Sequence, residues 1–132
     1  MSKYKTVKGF SDTYNTQYKI EKHILDIIKE ISDSYNYKPI RLAEFEYTSL
    51  FTDFYGERIN EELFTIDNRY TTDISLRYDS VLSLLRSIIE NKLYVDKSLP
   101  IKLMTNTNTY RFDKRDEKAG TYICWNSRMA FG

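Results

Sequence analysis

The stretch Ile74-Ser75-Leu76-Arg77-Tyr78-Asp79-Ser80 runs directly into the apolar periodicity of Val81 to Leu93, and the fold turns on how that passage is read. A short alternating strand ends in an arginine and an aspartate, and a helix starts at once. Two opposite charges are thereby placed at the carboxyl end of a strand, beside a helix amino terminus. Unpaired backbone N–H groups and the helix dipole favour anions at such a corner, which makes it a candidate ligand site. The second helix is expected over Ser80 to Lys92, with Val81, Leu84, Leu85, Ile88 and Ile89 on its buried face.

On the amino-terminal side, Glu61 to Ile66 and Asp73 to Arg77 read as two strands joined by the polar turn Asp67 to Thr72, a hairpin. Before them, Ile20, Ile24, Ile27, Ile28, Ile31 and Tyr35 recur at intervals of three and four. Lys22, Asp26, Lys29 and Glu30 lie mostly off that stripe, so an amphipathic helix with one buried face is expected from Tyr18. Asn36 ends it, since asparagine tolerates a left-handed conformation. Pro39-Ile40-Arg41-Leu42 alternates like a strand with proline at its first position. Phe45 to Phe54 has mixed character. Ile101 to Thr105 and Thr107 to Asp113 read as two further strands, followed by a charged turn, Asp116 to Gly120. Lys8-Gly9-Phe10-Ser11-Asp12 reads as the turn before the first helix. The sum is an α+β fold with a mainly antiparallel sheet.

Composition bounds the class. A chain of 132 residues with 41% apolar and 30% charged residues suits a single globular domain, residues 1–132. A formal charge of +1 offers no general attraction to nucleic acid. No apolar run approaches the ~20 residues that span a bilayer, and the start lacks a signal-peptide core. The expectation is a cytoplasmic location. Cys124 is the single cysteine, so no intrachain disulfide or thiolate metal cluster is expected. The 12 tyrosines fit an AT-rich coding bias and are not evidence of base stacking.

Tyr110-Arg111-Phe112-Asp113 is the second charged element. In an alternating strand Arg111 and Asp113 share a face, with Cα atoms about 7 Å apart. They form either an anion and cation holder or a solvated salt bridge worth little. Around Leu76 to Asp79 two readings also stand. In one, Asp79 contacts a ligand; in the other it caps the second helix while Arg77 pairs with it, worth about 1 kcal/mol. His23 has no second histidine or paired carboxylate and reads as structural. Cys124 beside Trp125 has no histidine to activate it. Glu44 and Glu46 alternate, but nothing assigns them catalysis.

These elements together resemble the class II histidyl-tRNA synthetases and their non-catalytic relatives, the regulatory subunits of ATP phosphoribosyltransferase. Leu76-Arg77-Tyr78-Asp79 is similar to the junction at that group's histidine pocket. Lys8-Gly9-Phe10-Ser11-Asp12 resembles its amino-terminal Arg/Lys-Gly-x-x-Asp. Tyr35 to Phe51 resembles motif 1, the helix–strand element of dimerisation, and Glu62 to Asp67 the hairpin arm before the pocket. Tyr110 to Asp113 resembles the start of motif 2, which spans about 107–126. The resemblance implies a partial class II core. It implies Arg77 and Asp79 as histidine-binding residues, and Arg111 as the ATP phosphate arginine with Asp113 its acidic companion.

The departures carry equal weight. Ala43 stands where motif 1 has a proline. The family's motif 2 loop, Gly-Arg-Tyr-Arg-Glu-Phe, is here Gly120-Thr121-Tyr122-Ile123-Cys124-Trp125, without its arginines or glutamate. Ser127 to Gly132 holds no acid for the histidine amino group, and 132 residues leave motif 3 and an anticodon-binding domain unaccounted for. No catalytic residue and no metal ligand is expected. The resemblance then implies a regulatory subunit of ATP phosphoribosyltransferase in histidine biosynthesis, with histidine as ligand and the catalytic subunit as partner. It would self-associate through the motif 1 region. The rival is a histidine–tRNA ligase or a degenerate fragment of one, and only there would ATP, Mg2+ and tRNA be needed.

Overall fold

The computed structural model describes residues 3–67, 73–95, 100–113 and 121–131, and of residues 113 and 121–131 the backbone alone. The element order is α1 (Asn15–Ser34), β1 (Lys38–Pro39), β2 (Phe45–Tyr47), α2 (Ser49–Tyr55), a 3-10 turn (Glu57–Glu61), β3 (Thr65–Ile66), β4 (Ile74–Leu76), α3 (Ser80–Glu90), β5 (Leu103–Asp113) and β6 (Thr121–Phe131). This is an α+β arrangement with two three-stranded sheets, ordered β1-β5-β6 and β2-β4-β3. Among the described residues only the β1–β5 pairing is parallel, with Lys38 opposite Leu103; the other pairs are antiparallel.

The hairpin expected around Thr65 and Ile74 is present, with Thr65 opposite Ser75 and Ile66 opposite Ile74. Its first arm is shorter than the sequence suggests: Glu61 closes the 3-10 turn, and the strand begins only at Thr65. The polar turn at 68–72 and the charged turn at 116–120 lie outside the described residues. The strand expected from Pro39 to Leu42 is reduced to Lys38–Pro39. The two strands expected over 101–105 and 107–113 are one, β5, paired with β6 from Leu103 opposite Phe131 to Asp113 opposite Thr121.

Two corrections concern the helix faces. In α1 the residues turned inward are Leu25, Ile28 and Ser32, whereas Ile20 and Ile24 remain 55% and 41% exposed, with Ile27 and Ile31 exposed alongside. In α3 the buried side is Ser80, Leu82, Ser83, Leu84, Ser87 and Ile88; Val81, Leu85 and Ile89 face outward. The serines bring little side-chain bulk to a helix that packs against β5, whose Thr105, Thr107 and Thr109 are also buried. Helix α3 serves two apolar clusters. Leu82 joins Phe51, Ile59, Leu63 and Tyr78, while Leu84 and Ile88 join Leu42 and Leu103.

Both long helices end in the same way. Tyr37 N–H reaches Ser32 O at 2.9 Å and Asn36 N–H reaches Asp33 O at 3.0 Å, with Asn36 at φ 63°. After α3, Leu93 N–H reaches Ile88 O at 3.0 Å and Lys92 N–H reaches Ile89 O at 3.1 Å, with Lys92 at φ 50°. These paired bonds satisfy carbonyls that the last turn leaves free, which is the Schellman pattern.

Candidate functional site

The site is assembled where β4 gives way to α3. Asp79 has extended dihedrals, φ −141° and ψ 132°, and caps α3: one carboxylate oxygen, Oδ1, accepts from Val81 N–H at 2.6 Å and Leu82 N–H at 3.0 Å. The helix cap foreseen in the sequence is therefore present. Arg77 does not pair with Asp79. Its side chain is 0% exposed and is spent on the framework: Nε donates to Asn108 O at 2.9 Å, Nη1 to Ala43 O, and Nη2 to Glu44 Oε2 at 3.1 Å. The backbone continues the stitching, with Arg77 N–H on Glu44 O at 3.0 Å and Tyr110 N–H on Arg77 O at 2.9 Å. Arg77 thus ties the hairpin sheet to β5 and the segment before β2.

Asp79 instead faces Arg111. The guanidinium Nη2 lies 3.7 Å from Asp79 Oδ2, with the two side chains 41% and 14% exposed respectively. Arg111 is held from below. Its Nε donates to Tyr78 O at 3.2 Å, and its guanidinium carbon stands 4.4 Å from the centroid of the Tyr78 ring, a cation–π contact. Tyr78 is in turn fixed by donating its hydroxyl to Glu62 Oε2 at 2.7 Å. Burial, with that bond second, pushes the Tyr78 phenol up to about 12. From α2, the Tyr55 hydroxyl donates to Asp79 Oδ2 at 3.0 Å, and its ring meets Tyr78 edge-on at 5.7 Å.

The structure therefore brings together Asp79 and Arg111 and turns Arg77 away. The side chain of Asp113 and residues 114–120 lie outside the described residues, and residues 121–126, expected in the motif 2-like loop, are in strand β6 instead, their backbone paired with β5. Glu44 and Glu46 each have a cationic partner. Glu46 is buried and takes Arg86 through both oxygens, at 2.7 and 2.9 Å. His23 sits on an exposed stretch of α1. Sequence reasoning missed Tyr55, Tyr78 and Glu62. Tyr78 was signalled by its place between the two charges, but nothing in the sequence pointed from Tyr55 to a residue 24 positions later.

Chemically, the corner pairs an acceptor with a donor. A carboxylate anchored on a helix terminus stands opposite a stacked, partly exposed guanidinium, just beyond direct hydrogen-bonding distance. A ligand carrying both an ammonium and a carboxylate or phosphate group matches that pair. Among the described residues no group of three or more His, Cys, Asp or Glu side chains gathers as a metal site, and no helix is long and apolar enough to cross a membrane.

No family model matches the chain. It is 31% identical over 125 residues to the histidine–tRNA ligase of Staphylococcus carnosus, covering 92% of this chain and 29% of that protein. Among solved structures, apo S. aureus histidyl-tRNA synthetase superposes with a TM-score of 0.70 at 28% identity, covering 83% of this chain and 31% of the other. A Bacillus halodurans protein described as an ATP phosphoribosyltransferase regulatory subunit/histidyl-tRNA synthetase gives a TM-score of 0.67 at 23% identity, over 84% and 28% of the two chains, a likeness of fold. The chain spans about three-tenths of the length of the relatives it matches.

Proposed function

Because the chain is histidyl-tRNA synthetase-like in sequence and fold over part of a class II core, we propose that it binds histidine at the Asp79–Arg111 corner without activating it. The observation that carries this reading is the 3.7 Å approach of Arg111 Nη2 to Asp79 Oδ2, with Arg111 partly exposed. Asp79 would take the ammonium group of histidine and Arg111 its carboxylate. Arg77 acts as the framework under them. Two features favour binding without adenylate chemistry. The sequence from Gly120 to Asn126, which resembles the motif 2 loop in position, lacks the arginines and glutamate that the synthetases place against ATP and tRNA. Arg111 is also committed through Nε to the Tyr78 carbonyl and stacked on that ring, which restrains its reach toward a transferring phosphate.

In finer terms the reading is a regulatory subunit of ATP phosphoribosyltransferase, cytoplasmic, reporting free histidine to a catalytic subunit. The form Leu76-Arg77-Tyr78-Asp79 supports it. A second copy of the chain is the further partner, joined through the motif 1 region: β2 is an edge strand of its sheet, and an antiparallel edge can pair with its own copy about a two-fold axis. Calorimetric titration with histidine tests the site. Asp79→Asn keeps a side-chain cap for α3 but removes the charge, so binding should weaken at least about tenfold. Equal heats from both proteins would take Asp79 out of the site.

The rival reading, histidine activation, is favoured by the names of the curated relatives, all histidine–tRNA ligases. There Arg111 would hold the α-phosphate of ATP. Histidine-dependent ATP–pyrophosphate exchange above background would establish it; the proposed function expects none.

A further inference from the structure

A carboxylate offers about four acceptor positions, two on each oxygen. In Asp79 both positions of Oδ1 go to Val81 and Leu82 N–H, and one of Oδ2 goes to the Tyr55 hydroxyl at 3.0 Å. Arg111 at 3.7 Å is too distant to take the last by a hydrogen bond. We propose that Tyr55 is a specificity-determining residue of this corner, whose hydroxyl competes with the ligand's ammonium group for Asp79 Oδ2 and so weakens the hold on it. The inference rests on the reading in which Asp79 meets that ammonium.

Three observations support competition over mere orientation. The carboxylate plane is already fixed by two backbone donors on Oδ1, so a third bond is not needed to aim it. Tyr55 also comes from a different element, the end of α2, and reaches Asp79 across the Tyr78 ring. It is held there by edge-on contacts with Tyr78 at 5.7 Å and Phe54 at 5.0 Å. Burial, then the bond to Asp79, raises the Tyr55 phenol above its ordinary value, so it remains a protonated donor at neutral pH. An ammonium brings three donors to a site with one free acceptor, and a weakened contact suits a sensor that must let its ligand go when free histidine falls.

The test is calorimetry on the wild type, Tyr55→Phe and Asp79→Asn with three ligands: histidine, histidinol (amine without carboxylate) and imidazolepropionate (carboxylate without amine). Tyr55→Phe should bind histidine and histidinol about 3- to 10-fold tighter, the worth of one hydrogen bond, and leave imidazolepropionate unchanged. A Tyr55 with only a structural role would shift all three ligands together. That result, or unchanged or weaker histidine binding by Tyr55→Phe, overturns the inference. If Asp79→Asn weakens histidine binding while Tyr55→Phe has no effect, the role of Tyr55 falls and the histidine site stands. If Asp79→Asn binds like the wild type, or the wild type binds no histidine, both fall.

Discussion

Arg77 has no exposed surface, and three of its nitrogens each reach a different residue: Asn108, Ala43 and Glu44. Removing it orphans two backbone carbonyls in the seam between the sheets. Arg77→Met is therefore expected to lower the unfolding free energy by about 2–4 kcal/mol in urea titrations. Glu44→Gln should cost under about 1 kcal/mol, because the glutamate end of that pair lies in solvent. Equal losses from the two would show that the ion pair, not the carbonyl contacts, carries the effect. Of the reading that Asp79 caps the second helix and pairs with Arg77, the cap is present and the pairing is not. In an unbroken strand residues 77 and 79 would share a face; a bend at Tyr78 breaks the alternation, sending Arg77 inward and leaving Asp79 to the helix. Tyr78 itself yields a pH dependence. Its phenol is pushed from 10 to about 12, by burial first and by Glu62 second. The neutral form is thus favoured in the folded state, so stability is unaffected below pH 10 and falls as pH rises from 10 toward 12. Melting temperatures of the wild type and Tyr78→Phe should converge across that window; parallel curves would contradict the assignment.

Helices α1 and α3 were legible because periods of three and four survive in any context, and the α3 cap was legible, as one of two uses open to Asp79, because an aspartate just before an apolar run can accept from the first helical N–H groups. Which face each helix buries was not legible. In α1 the stripe Ile20-Ile24-Ile27-Ile31 lies beside Leu25-Ile28-Ser32, and the spacing alone does not choose between them. In α3 the serines are buried and Ile89 is exposed, an inversion of hydrophobic ranking driven by the strand the helix packs on. The two strands expected on either side of Asn106 are the single strand β5. Asn106 sits on the outer face while Thr105 and Thr107 on either side are buried, so the ladder passes through it. The helix ends give the element-level prediction. Asn36 and Lys92 both occupy the left-handed region, at φ 63° and 50°. Asn36→Ala should cost about 1 kcal/mol, whereas Asn36→Gly should leave stability unchanged or raise it by ~0.3 kcal/mol. Lys92→Gly should stabilise by about 0.5 kcal/mol, since lysine carries a Cβ penalty there that glycine does not. Thermal melts of the three variants check the order, and a destabilised Lys92→Gly would contradict it.

Taken whole, the chain leaves apolar surface that its own core does not use. Ile20, Ile24, Ile27 and Ile31 run along α1 toward an exposed Tyr35, and Phe45 and Tyr47 on the edge strand β2 are 53% and 71% exposed. Both features belong to the segment resembling motif 1 or lead straight into it. An exposed edge flanked by aromatic side chains is a pairing surface unless something covers it. A second copy would cover it without new sequence, since antiparallel β2 strands related by a two-fold axis would present the same groups to each other. The expected outcome is self-association of the wild type at micromolar concentration in sedimentation velocity. Ile24→Lys/Ile31→Lys and, separately, Tyr47→Lys should each weaken it about tenfold or more. Their melting temperatures, extrapolated to low protein concentration where monomer dominates, should stay close to wild type, because these side chains already face solvent in the single chain. A monomeric wild type would rule out the motif 1 interface, and variants that associate as strongly as the wild type would move the interface elsewhere on the surface.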